Sequence, residues 1–268
     1  MLGLQIAFKD YRFDLGIWGS EWVGLKHFKN FFNSYQFKRL MLNTIGISLY
    51  SLIMGFWPPI LLAISLNYCG NKFLRKSVQM ITYLPHFVST VLWVGIATQI
   101  MSINGIVNSV IRLLGGTAIE FLNKPQYFNT IYVFSGVLQN FGYGAIIYLA
   151  ALTEINPELY EAAIIDGASI LKRIWYIDLP SIVPTAVIML ILRTSNILSV
   201  GFEKVYLLQN PLNISASDVI STYVYNIGLL NMQYSFSTAI GFMQSFISLF
   251  LVVIVNKISE KLTESSLF

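Results

Sequence analysis

The sequence predicts an all-α integral membrane protein, a polytopic helical bundle of five complete spans plus a truncated or absent first span. Three observations predict it. Only 11% of the 268 residues are charged, 55% are hydrophobic, and the mean hydropathy is +0.64. A soluble chain carries about a quarter charged residues, so this one lacks the polar groups to cover a surface in water. The charges are also bunched. Residues 40–71, 77–111, 125–153 and 219–256 hold no Asp, Glu, Lys or Arg, and between Leu179 and Phe202 the only charge is Arg193. A helix needs about 20 apolar residues to cross the hydrocarbon core. Finally, these stretches lack the alternation of barrel strands, and only helices and closed barrels satisfy their backbone groups in lipid.

Taken in order, Leu2–Phe8 is an apolar stub, too short to span and without the layout of a signal peptide. It is expected to lie flat at the interface or to be the tail of a first span. Residues 9–39 are polar and aromatic, with Trp18, Trp22 and several Phe, which suits a segment resting on the membrane surface. Spans are expected near 41–66, 77–101, 130–153, 180–200 and 237–257. Asn71–Lys76 forms a tight basic turn holding Lys72, Arg75 and Lys76, while 102–129 and 201–236 read as loops rich in Asn, Ser, Gly and Tyr. Placing 72–76, 154–179 and the C-terminus inside puts seven Lys/Arg there, against nine in the opposite loops. Total charge therefore does not orient the chain. The short basic turn favours the inside, because short loops weigh most in the positive-inside rule.

Several function classes fall away on composition. A net charge of +4 with no run of five or six like charges gives no footprint for nucleic acid. Cys69 stands alone and makes neither an internal disulfide nor a metal site. The dipeptide Gly-Lys never occurs, so there is no phosphate loop for ATP. His27 and His86 are the only histidines, without an HExxH or GxSxG pattern, and no catalytic residue is assigned. Ion-coupled carriers tend to show internal repeats and intramembrane acids, and no Asp or Glu falls inside an expected span. His86 follows Pro85 inside a span, as in a proline kink beside a buried, hydrogen-bonded histidine.

Polar groups within spans are costly and usually face a bundle interior or cavity. Gln139, Asn140, Tyr143, Arg193, Asn196 and Gln244 occupy such positions. Amides, a guanidinium and an aromatic face suit a sugar, which offers hydroxyls and apolar C–H faces. The same residues equally suit hydrogen bonding between helices.

One connection carries dense helical signals. Residues 154–180 read EINPELYEAAIIDGASILKRIWYIDLP. Asn156 is placed as an N-cap, Pro157 suits the first helical position, and Glu158 lies at the positive end of the dipole. Gly167 is placed to end the helix in a left-handed turn. That predicts a helix of about ten residues, roughly 15 Å long at 1.5 Å per residue, then a second short helix from Ala168 to about Ile177, with Pro180 opening the next span. Such a helix is either a rigid knob for another protein, with Ala162 and Ala163 allowing close approach and Glu161 offering a carboxylate, or an amphipathic helix lying on lipid.

The order Glu161-Ala162-Ala163, Gly167, then Ile177-Asp178-Leu179-Pro180 resembles the EAA loop of binding-protein-dependent ABC importer permeases. Tyr83-Leu84-Pro85-His86-Phe87, Ile147–Leu152, Gly201-Phe202-Glu203 and Val219–Tyr225 are similar to the LplB-type carbohydrate permeases, and the likeness covers almost all of 3–268. The resemblance implies one permease domain over 1–268 with a cytoplasmic coupling loop at 154–180. It implies a second homologous permease, two ATP-binding cassette ATPase subunits and an extracellular solute-binding protein. ATP and Mg would sit on the partner ATPase, with no cofactor on this chain. Glu161, Ala162, Ala163, Gly167, Ile177, Leu179 and Pro180 would couple to the ATPase. The chain would lie in the plasma membrane with its C-terminus inside and pass an oligosaccharide or polysaccharide fragment. A peptide or amino acid is the alternative cargo, and an ion-coupled carrier the more distant reading.

Overall fold

A computed structural model describes residues 2–194, 198 and 200–263. Its helices in chain order are α1 (Gly16–Gly19), α2 (Lys26–Phe32), α3 (Phe37–Asn67), α4 (Lys72–Tyr83), α5 (Thr90–Met101), α6 (Ile106–Leu113) and α7 (Pro125–Thr153). There follow α8 (Pro157–Ile165), α9 (Ile170–Arg173), α10 (Leu179–Thr194), α11 (Phe202–Leu208), α12 (Ile214–Ser217), α13 (Ile220–Tyr225) and α14 (Tyr234–Thr263). A two-residue ladder pairs β1 (Lys9–Asp10) antiparallel with β2 (Glu21–Trp22). Among the described residues five stretches are long and apolar enough to cross a membrane: Phe37–Asn67, Thr90–Leu113, Pro125–Thr153, Ile170–Thr194 and Tyr234–Lys257. Their flanks expose Leu42, Ile53, Leu61, Leu92, Leu138, Phe246 and Leu249. Apolar surface gains about 25 cal/mol per Å² on leaving water, so these faces call for hydrocarbon as their solvent.

The structure corrects three expectations and adds the form of the apolar stub. The span expected over 77–101 is broken: α4 gives way to a 3₁₀ turn at Leu84–Phe87 and an extended Val88 before α5. Pro85 has no N–H to continue the ladder, and the crossing stretch moves to Thr90–Leu113, taking in α6 and part of the expected 102–129 loop. The 201–236 loop is largely helical, with Val219, Ile220 and Thr222 fully buried. That burial is possible because local side chains satisfy its backbone; the Asn213 amide donates to the carbonyls of Leu122 and Leu208. The apolar stub is a 3₁₀ helix with Ala7 fully buried, and Phe8 stacks on Trp22 at 5.9 Å and meets Phe242 edge-on at 5.8 Å. The second short helix of the 154–180 connection is not separate, since α9 runs through a π-helical stretch, Ile174–Asp178, into α10.

The chain divides into two compact units. One comprises 1–50, 94–132 and 195–251. Its apolar core gathers Ile47, Phe128, Val205 and Val219 in one cluster and Phe31, Leu40, Ile220 and Ile240 in another. Polar bonds tie its distant segments: Arg39 pairs with Asp218 at 3.0 Å, and Thr44 accepts from the Ile220 amide at 3.0 Å.

The other unit comprises 51–93, 133–194 and 252–268. Ile60, Ala63, Ile64, Ala145, Tyr148, Leu152 and Ile182 form its core. Small residues let backbones approach, as they do between membrane helices. A Cβ at Gly142 would sit 2.0 Å from the Thr82 carbonyl oxygen, and one at Gly144 would be 3.3 Å from Pro59. Gly142→Ala is therefore expected to destabilise the purified protein by about 1–3 kcal/mol, the range for overpacking. A thermal melt in detergent matching the unsubstituted chain would refute this contact.

Candidate functional site

The 154–180 segment folds much as its punctuation dictates. The Asn156 side chain accepts from the Glu158 amide at 3.0 Å, and Pro157 opens α8. At the other end Gly167 takes φ +73°. The Ala168 amide donates to the Ala163 carbonyl at 2.8 Å and the Gly167 amide to Ile164 at 3.0 Å, the paired bonds of a Schellman cap. The helix has nine residues, one short of the expected ten, and none is buried. Glu161 and Ala162 face outward, Ala163 is half-buried, and Ile165 is 86% exposed. Leu171, Trp175 and Tyr176 extend this uncovered apolar surface.

The π-helical stretch follows. The Leu179 amide reaches the Ile174 carbonyl five residues back, and the Ser181 hydroxyl donates to Ile177 at 2.7 Å. These bonds hold the ladder together where Pro180 brings no donor. Leu179 packs against the core beside Ile182, Ile177 is half-buried, and Pro180 is exposed.

Sequence reasoning missed what ties α8 to the spans. Asp178 is fully buried, and the Tyr160 hydroxyl of α8 donates to its carboxylate. Tyr68, just past α3, lies close to the same carboxylate, with the Arg173 guanidinium 5.6 Å from its ring centroid. Burial, then Asp178, pushes the Tyr68 phenol up to about 12 and raises Tyr160 as well. The Tyr160 hydroxyl therefore stays protonated, and so remains a donor, at neutral pH. The hint in the sequence was a carboxylate ahead of an apolar span.

The mid-span polar residues do not form one group. Asn140 and Tyr143 come together around His86: the Asn140 side-chain oxygen lies 2.9 Å from His86 Nδ1, and Tyr143 stacks on the imidazole at 3.9 Å. His86 is half-buried rather than buried, because the broken helix leaves it at an open edge beside exposed Phe87. Gln139 donates to the Val88 carbonyl at 3.2 Å. Arg193 reaches elsewhere, donating from Nη1 to the Gly55 carbonyl at 2.7 Å and passing Gly144. Gln244, in the other unit, donates to Leu198 at 2.7 Å. Asn196 lies outside the described residues. Among the described residues no cluster of His, Cys, Asp or Glu could hold a metal ion.

Residues 55–264 match the family model described as binding-protein-dependent transport system inner membrane component. The chain is 40% identical over 269 residues to Protein LplB of Bacillus subtilis (strain 168), covering 100% of this chain and 85% of that protein. It is also 40% identical over 269 residues to the polygalacturonan/rhamnogalacturonan transport system permease protein YteP of the same organism, covering 100% and 84%. A chain of a crystallised bacterial alginate ABC transporter, in complex with alginate pentasaccharide-bound periplasmic protein, superposes with a TM-score of 0.92 at 40% identity. The match covers 100% of this chain and 89% of that one.

Proposed function

Because the chain belongs to the binding-protein-dependent transport system inner membrane components, we propose that it is the permease subunit of an ATP-driven importer for oligosaccharides of an acidic polysaccharide. On this reading residues 1–268 form a single permease domain that works with a second homologous permease. Two cytoplasmic cassette subunits bind ATP with Mg and hydrolyse it, and a binding protein delivers cargo from outside. The observation that carries the reading is α8, capped at both ends and uncovered along its length. A rigid helix with an exposed carboxylate and an apolar flank fits a groove on a partner. Its partner being the ATPase places 154–180, the basic turn at 72–76 and the C-terminus in the cytoplasm.

The cargo class rests on the relatives. Two of them, each 40% identical to this chain, are a polygalacturonan/rhamnogalacturonan permease and an alginate transporter, and polygalacturonan and alginate are both chains of uronic acids. A carboxylated sugar needs donors for its oxygens and flat faces for its C–H surfaces. Asn140, Tyr143 and His86 supply both at one edge. Arg193 has five N–H donors, more than its bond to Gly55 uses. Asn140→Leu and Arg193→Leu are each expected to lower uptake by about tenfold, the scale of one lost hydrogen bond to a charged group, with assembly intact. Normal uptake in both variants would make these residues structural.

The reading is tested in proteoliposomes holding the full complex and its binding protein. Uptake of an oligogalacturonide should require ATP and exceed that of a neutral maltooligosaccharide. Uptake driven by a proton or sodium gradient without ATP would overturn the class, and preference for a peptide would overturn the cargo.

A further inference from the structure

We propose that Asp178 is a positioning residue that fastens α8 to the foot of the span beginning at Ile170, so that movement of α8 passes into the spans. The proposal rests on the reading of 154–180 as the coupling element.

The case begins with how little else holds α8. Tyr160 and Ala163 are its half-buried positions, one turn apart, and every other residue of the helix is exposed. So narrow a stripe buries little apolar surface, and apolar contact alone fixes neither the rotation nor the tilt of a helix. A directional bond does. The Tyr160 hydroxyl donates to a carboxyl group that is fully buried, and hydrogen bonds to buried groups are costly to break because they leave an unpaired polar atom behind. Low local dielectric strengthens them further.

The carboxylate also stands at a junction. Three chain segments meet there: Tyr68 beyond α3, Tyr160 of α8, and the π-helical stretch that carries Asp178 itself. Arg173, over the Tyr68 ring, closes the group from α9. A π-helical turn inside an α-helix frequently marks a functional site, and here it sets Asp178 where the loop becomes the span. A push on α8 thus meets the ends of two membrane-crossing helices through one buried carboxyl group. Residues 166–169, with Gly167 at positive φ, are the other route between α8 and the span, and a loop can absorb movement.

The test uses the complete importer. Spin labels at Leu159→Cys and Val183→Cys, in a Cys69→Ser background, report the distance between α8 and α10, with and without ATP and vanadate. The unsubstituted anchor should give one narrow distance in both states. Asp178→Ala and Tyr160→Phe should raise the population outside that distance by about tenfold, the factor supported by leaving one buried polar group unpaired. Oligogalacturonide uptake per ATP hydrolysed should fall in parallel while the ATPase still co-purifies. Asp178→Asn keeps an acceptor for Tyr160 and should restore most of both quantities. If Asp178→Ala does not fold, Tyr160→Phe, which removes a single hydroxyl, decides. A narrow distance and unchanged uptake per ATP in Tyr160→Phe would overturn the proposal. Failure of the coupling reading itself looks different, because Glu161→Lys would then leave ATPase association unchanged.

Discussion

Glu161→Lys is expected to strip the ATPase from the purified complex while leaving the membrane subunit folded. Glu161 stands exposed on α8, beside Ala162, whose small side chain lets a partner's backbone come close. A carboxylate that becomes buried against a basic group on the ATPase loses its water, and removing one partner of such a pair costs about 2–5 kcal/mol. Even the lower figure corresponds to roughly thirtyfold in affinity. Replacing the anion by a cation adds repulsion to that loss. Nothing within the described residues depends on this side chain, so the thermal melt should not move. The measurement is the amount of ATPase retained on the affinity-purified complex. Retention equal to that of the unsubstituted protein would mean that α8 docks elsewhere.

Gly167→Val is expected to leave ATP hydrolysis running without transport. Gly167 holds φ +73° with open space around its missing side chain, so the objection to valine is conformational and not steric contact with neighbours. An L-residue in the left-handed region costs about 1–2 kcal/mol, and a β-branched one is worse placed than most. Valine escapes by leaving that region, which breaks the bonds that cap α8 at Ala163 and Ile164. The helix then frays and points elsewhere. Gly167→Asn, which tolerates the left-handed turn, should stay near the unsubstituted protein, with Gly167→Ala between. Uptake per ATP hydrolysed measures the series. Equal values for valine and asparagine would exclude the turn as the reason for glycine.

The spans were legible because charge is so costly in lipid that its spacing outlines them. Residues 40–71 and 219–256, free of charge, became α3 and most of α13 and α14. The caps of α8 were legible for another reason: Asn156, Pro157 and Gly167 act on their immediate neighbours, and local rules suffice. What stayed hidden depends on contacts between distant residues. Asp178 reads as a carboxylate ahead of a span until folding brings Tyr160 to it. Arg193 reaches Gly55, 138 positions away, a partner that its place in the span does not name. The break at Leu84–Phe87 belongs between these cases. Pro85 announced a disturbance, but whether a helix kinks or stops at proline depends on what surrounds it. Residues 201–236 read as loop because short buried helices, satisfied by Asn213 and Thr222, carry too few residues to show a period.

One measurement bears most directly on the central claim that α8 is the contact between this subunit and its ATPase. A single cysteine placed by Ala162→Cys, in a Cys69→Ser background, is treated with a short thiol-to-amine cross-linker in the intact complex, and the product is identified by mass. A cross-link to the ATPase subunit is the expected result. A cross-link to the extracellular binding protein, or a cysteine modified only by lipid-soluble reagents, would contradict the account.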